Sequence, residues 1–243
     1  MDSPRHVRFA TTRWSLVATA GRQTRESAAA LEMLCGQYWP PLYVFLRRRG
    51  HSPQDAEDLV QGFLADLLRR EDLAAADSRR GRFRTFLLAG LKHHAANRHA
   101  ADTAAKRGGS VVTASLETPL DFAEAESHYR QEPSDARTAE AVFERQWALA
   151  VLRRALADVE QSQQHAGRGE WFEQLRPLLT GGGTAPYAEL AASLNTTPGA
   201  VKAAAARLRR QFREALDQAL RDGLSSADDL AAERAALFAA LST

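Results

Sequence analysis

Residues 194–201 read LNTTPGAV, and that stretch cannot lie inside a helix. Upstream of it Tyr187, Leu190, Ala191 and Leu194 recur at i, i+3, i+4 and i+7, the apolar face of a short helix. Downstream Val201, Ala205, Leu208, Phe212 and Ala215 step by 4, 3, 4 and 3, which marks a second apolar face. Asn195 tolerates the positive φ that ends many helices. Thr197 followed by Pro198 is an N-cap followed by proline at the first helical position. A break capped on both sides joins two helices at an angle, so the segment is expected to fold as a helix-turn-helix.

Most of the chain repeats the helical half of this pattern. Alanine, leucine, arginine and glutamate dominate, and runs of β-branched residues are absent. The expected fold is all-α, with two small helical domains, a linker and a C-terminal helical extension. Residues 1–107 are assigned to the first domain and 138–218 to the second. Residues 108–137 carry Gly, Ser, Thr and Pro breaks with a net acidic balance and are assigned as the linker. Residues 219–243 form the extension. There Gly223 closes a helix, Ser226 and Asp229 have capping-box spacing, and Leu230, Leu237, Phe238 and Leu241 define one apolar face. Near the N-terminus, Trp14, Leu16 and Val17 are assigned as a staple onto the first domain.

The 243 residues contain one cysteine, so no internal disulfide framework exists. Cys35 lies at helical apolar spacing, as a buried thiol would. No apolar run approaches the roughly 20 residues of a membrane span, and the N-terminus lacks a secretory pattern. A cytoplasmic protein is expected. Net charge is only +2, so any affinity for nucleic acid must come from where the charges sit.

They sit in blocks. Between Pro198 and Arg213 stand Lys202, Arg207, Arg209, Arg210 and Arg213, with no acid among them. Such a face can neutralise phosphates beside a major groove. A second block, Ser78 to Gly108, holds eight cations against one acid, Asp102. Its Phe83, Phe86, Leu87, Gly90 and Leu91 form an apolar stripe, with His93, His94, Asn97 and Arg98 on a more polar side. Basic and amide groups beside aromatics suit unpaired DNA. The histidines lack a carboxylate partner at ligand spacing, so no metal and no cofactor is expected. The third block is acidic. In SPQDAEDLVQGFLADLLRR, Ser52 caps and Ala56, Leu59, Val60, Phe63, Leu64 and Leu67 form a stripe. Asp55, Asp58 and Gln61 share an exposed edge suited to a basic protein partner.

Taken together, these segments resemble the sigma-70 family of bacterial RNA polymerase sigma factors, of the extracytoplasmic-function (group IV) type. DAEDLVQGFLADLL looks like the family's helix that binds core polymerase, and YWPPLYVFLRRRG like the helix before it. GRFRTFLLAGLKHHAANRHAADTAAKRGG is similar to the segment that melts and reads the minus-ten element. YAELAASLNTTPGAVKAAAARLRRQFREAL resembles the region-4 helix-turn-helix. The resemblance covers about Ser27 to Leu216. It implies that Asp55, Glu57, Asp58 and Gln61 contact core polymerase. By the same resemblance Arg80, Arg82, Arg84, Phe86, Lys92, His93, Asn97 and Arg98 face the minus-ten element. Thr197, Lys202, Ala203, Arg207, Arg209, Arg210 and Arg213 face the minus-thirty-five element. The family more often has tryptophan at Phe86, asparagine at His93 and serine-arginine at Ala203-Ala204.

The resemblance further implies a non-enzymatic protein whose partners are core RNA polymerase and promoter DNA, with an anti-sigma factor as a further candidate. A linker of about 30 residues at ~3.3 Å each reaches up to ~100 Å, against ~70 Å for two turns of DNA. One alternative is a helix-turn-helix regulator acting without polymerase. A weaker one is a metal-dependent nuclease built on Asp55 and Asp58.

Overall fold

The structure, a computed structural model, describes residues 24–69, 82–105, 122–132, 137–180, 186–224 and 230–242. Among them are ten helices and no strand, so the fold is all-α. The helices are α1 (Arg25–Arg48), α2 (Pro53–Arg69), α3 (Phe83–Ala105), α4 (Phe122–Gln131) and α5 (Ala139–His165). They continue with α6 (Gly169–Leu175), α7 (Pro177–Thr180), α8 (Tyr187–Ser193), α9 (Pro198–Asp222) and α10 (Leu230–Ser242). Arg80, the Trp14, Leu16 and Val17 staple, and the Ser226 and Asp229 capping box lie outside the described residues. Among the described residues no helix is long and apolar enough to cross a membrane.

The chain divides into two compact units, one of residues 1–150 with 220–243 and one of residues 151–219. In this division the first half of α5 and residues 220–243 fall in the first unit. The span assigned as a linker contains α4, which packs on α1. As a helix its ten residues rise ~15 Å rather than the ~33 Å of extended chain, so the reach allowed to that span is shortened.

In the first unit α1 is the hub. Leu42 to Leu46 are buried on every side, as a central helix requires. Pro40 and Pro41 lie within it and remove two ladder N–H groups. Buried Tyr38, Trp39, Tyr43 and Phe45 around them supply the packing that holds the helix through that defect. Gly50, at φ +90°, ends α1: its N–H donates to the Arg47 carbonyl and that of His51 to the Leu46 carbonyl. This is the glycine-closed helix terminus, strained for any residue with a Cβ. On α2 the expected stripe of Ala56, Leu59, Val60, Phe63, Leu64 and Leu67 is buried. It meets α3 at Gly90, where a Cβ would stand 2.9 Å from the Phe63 ring.

Helix α4 is clamped to α1 by rings and one carboxylate. Phe122 lies 5.1 Å from Trp39 and 5.6 Å from Tyr43, centroid to centroid. Glu126 accepts from Tyr43 Oη at 2.8 Å and from Arg47 Nε at 2.9 Å. The Arg47 guanidinium beside it, with Tyr43 and Arg130, holds the Glu126 carboxyl below its ordinary range against the opposing effect of burial. A carboxyl whose folded value is depressed adds stability above its unfolded value and loses it as pH falls through the folded one. Hydrogen exchange at α4 amides is therefore expected to accelerate below the ordinary carboxylate range. In Glu126→Gln the α4 amides should exchange fast already at neutral pH, with no further acid step. Acid-independent protection of α4 in the unmodified chain would contradict the clamp.

Cys35 is buried in α1, and burial first, then Glu32, pushes its thiol up to about 12. Since the thiolate is the reactive species, a thiol reagent at pH 8 should leave the folded protein unlabelled and label it in denaturant. Rapid labelling of the folded chain would refute that placement.

The second unit is built on Val159, Phe172, Leu175, Leu190, Ala191, Val201 and Leu208, with Trp171, Tyr187, Leu194, Phe212 and Ala215 half-buried around them. The two apolar faces expected of α8 and α9 thus meet in one core.

Candidate nucleic-acid interface

The turn between α8 and α9 is fixed by hydrogen bonds of its own residues. Asn195 takes φ +49°; its N–H donates to the Ala192 carbonyl and that of Thr196 to the Ala191 carbonyl at 2.9 Å. Thr197 then caps α9: its Oγ1 accepts the Ala200 N–H at 3.2 Å and its carbonyl accepts the Val201 N–H at 3.1 Å. With the apolar face of α9 turned to the core, Lys202, Ala203, Arg207, Arg209, Arg210 and Arg213 are all exposed. Every minus-thirty-five candidate is therefore either at the cap or on the solvent face of one helix.

The basic block on α3 is placed differently. Arg84 is 3% exposed. Its Nε donates to Glu144 on α5 at 2.8 Å, its Nη1 pairs with Glu233 on α10, and its guanidinium lies 4.0 Å over the Trp147 ring. Arg82 pairs with the same Glu233 at 2.8 Å. Burial raises the Glu233 carboxyl, while Arg84 and Arg82 oppose that rise. Lys92 donates to Glu140 at 2.7 Å. Arg84 is thus a buried cation held between carboxylates of α5 and α10, and Arg82 is tied to the same cluster. In this block Arg82, Arg84 and Lys92 face carboxylates from α5 and α10. Phe86 is half-buried and stacked on Phe83, itself packed edge-on against Tyr38 at 5.2 Å. His93 and Asn97 remain exposed, 3.0 Å apart.

Sequence reasoning missed Glu140, Glu144, Glu233 and Trp147. A signal for one of these contacts was present: Arg84, Leu87 and Leu91 share a face at i, i+3 and i+7, and Leu230, Glu233 and Leu237 do so at i, i+3 and i+7. A charge on an otherwise apolar face implies a buried partner of opposite sign. The apolar face expected of α10 is also shifted. Glu233, Leu237 and Ala240 are buried, whereas Phe238 is 60% exposed.

On α2, Ser52 and Asp55 form a reciprocal cap: the Asp55 N–H donates to Ser52 Oγ at 3.1 Å, and Ser52 Oγ donates to the Asp55 carboxylate at 2.6 Å. Asp55 is exposed; Glu57, Asp58 and Gln61 are half-buried. Gln54 donates to Asp58 at 3.3 Å. A cavity of about 240 Å³ between α2 and α3 is lined by Asp55 and Asp58 on one side and by Arg98 and His99 on the other. The structure therefore joins in one groove residues that the sequence assigned to two separate surfaces.

Compared with protein-family models, with curated proteins and with solved structures, the chain has no match.

Proposed function

We propose that the chain is a promoter-recognition factor of the sigma type, which binds core RNA polymerase and directs it to promoter DNA. The observation that carries this reading is the doubly capped helix-turn-helix with five exposed cations on α9. In this role α9 enters the major groove, and Lys202, Arg207, Arg209, Arg210 and Arg213 contact phosphates and base edges. The edge of Asp55, Glu57, Asp58 and Gln61 docks the polymerase. The chain supplies no covalent chemistry; nucleotide addition belongs to the polymerase. Contact with the minus-ten element falls first to His93 and Asn97, which are exposed on α3.

The pairing of Arg82, Arg84 and Lys92 with carboxylates also favours a second reading, a helix-turn-helix regulator that acts without polymerase. Pull-down with bacterial core RNA polymerase, followed by promoter-dependent run-off transcription, separates the two. Glu57→Arg with Asp58→Arg leaves the Ser52–Asp55 cap in place and is expected to abolish core binding without loss of helicity. Core binding undiminished by the pair would reject the docking edge. No core binding by the unmodified chain, with DNA binding intact, would select the second reading.

A further inference from the structure

The second unit holds a cavity of about 260 Å³ between the end of α5, the turn after it, α6 and α9. Its apolar wall is Trp171, half-buried, with the buried side chains of Phe172, Leu175 and Leu208. Two guanidinium groups, Arg168 and Arg207, lie at the same cavity, and no carboxylate is among its described lining residues. Both arginines are exposed. Gln163 donates to Gln211 at 2.9 Å in the wall, which leaves the Gln211 amino group as a further donor.

These features select a ligand. Pockets for drug-sized molecules run to ~300–1,000 Å³, so this one takes something smaller. Two cations at a cavity with no carboxylate among its described lining residues favour an anion, and a guanidinium matches the planar fork of a carboxylate better than a compact charge. The indole face of Trp171 with Phe172 behind it favours an aromatic ring. We propose that this cavity binds a small aromatic carboxylate, ring against Trp171 and carboxylate at Arg168 and Arg207, and that its occupancy withdraws Arg207 from DNA. The second half rests on the proposed role of α9 in DNA binding, because Arg207 belongs to both the cavity and the basic face. The first half does not. A ligand that occupies only the DNA-free protein must weaken DNA binding by the same factor by which DNA weakens it.

Isothermal titration of the full chain with 2-naphthoate, and with the neutral 2-naphthamide, tests the site. Saturable binding of the carboxylate is expected, reduced at least ~10-fold for the amide and for Arg168→Ala, a loss of one charge-assisted contact. Ala204→Leu, which fills the cavity from α9, should also abolish it, with thermal melting used to confirm that this variant is folded. No saturable binding at ~1 mM carboxylate, the weak end of specific affinity, overturns the site, as does equal binding of the amide. The coupling is read separately, from affinity for a duplex as salt is varied. Saturating 2-naphthoate should reduce the magnitude of the log-affinity slope by ~0.9, the share of one phosphate contact, and should do nothing in Ala204→Leu. An unchanged slope with the carboxylate bound overturns the coupling. A chain that binds 2-naphthoate but no DNA upholds the cavity and rejects the function proposed for α9.

Discussion

Glu233→Ala is expected to destabilise the first unit by up to about 3–5 kcal/mol, the cost of removing one partner of a buried ion pair. Arg84 and Glu233 are 3% and 2% exposed, so water cannot replace the lost carboxylate. Arg84 would keep Glu144 and the Trp147 ring, and Arg82 would lose its pairing with Glu233. Replacing both buried partners, Arg84→Met with Glu233→Leu, should recover most of the loss, because apolar groups of similar volume need no compensation. Urea denaturation, followed by tryptophan fluorescence in a Trp171→Phe background to confine the signal to the first unit's indoles, measures both effects. A Glu233→Ala variant within ~1 kcal/mol of the parent chain would show that the cluster does not hold α10. Deleting residues 224–243 removes the same glutamate together with buried Leu237 and Ala240, and should lower the melting temperature in the same direction. A truncation that melts like the parent but transcribes more strongly would mark the tail as an inhibitor instead of a structural helix.

The sequence made the helix-turn-helix legible because its determinants are local. Asn195 accepts a positive φ, Thr197 bonds a donor three residues on, and the apolar and basic faces of α9 follow from spacing within one helix. The stripe on α2 was legible for the same reason. The fate of the α3 cations was not, since Glu140, Glu144 and Glu233 lie 48, 60 and 149 residues away from Lys92 and Arg84. Local charge counting sees a basic block; only the fold brings carboxylates to it. Helix α4 was hidden by its neighbours. Phe122, Ala125 and Tyr129 have helical spacing, but the Gly, Ser, Thr and Pro around them suggest a linker. The membership of α5 was equally illegible: an apolar stripe containing Phe143 and Trp147 announces burial without saying against what. The boundary expected at residue 138 coincides with a helix start capped by Thr138.

Alanine at Lys202, Arg207 and Arg210 together is expected to flatten the salt dependence of DNA binding by ~2.7 in log–log slope, three phosphate contacts at ~0.9 each. All three side chains are exposed on α9, away from the core formed by Val201, Ala205 and Leu208. Alanine is the best helix former, so the substitution should leave α9 folded and the turn at Asn195 and Thr197 intact. A slope change of 2.7 between 50 and 200 mM salt corresponds to roughly 40-fold less loss of affinity across that range. The single variants divide the face further. A residue that touches only phosphate lowers the slope by ~0.9 and weakens all sequences alike. A residue that reads a base edge costs ~1–3 kcal/mol at one promoter position and relaxes the preference there. Arg207 is the most informative of the three, because it also lines the cavity beside Trp171. If the triple variant of the full chain binds duplex DNA with the parent's affinity and slope, α9 is not the DNA-contacting helix.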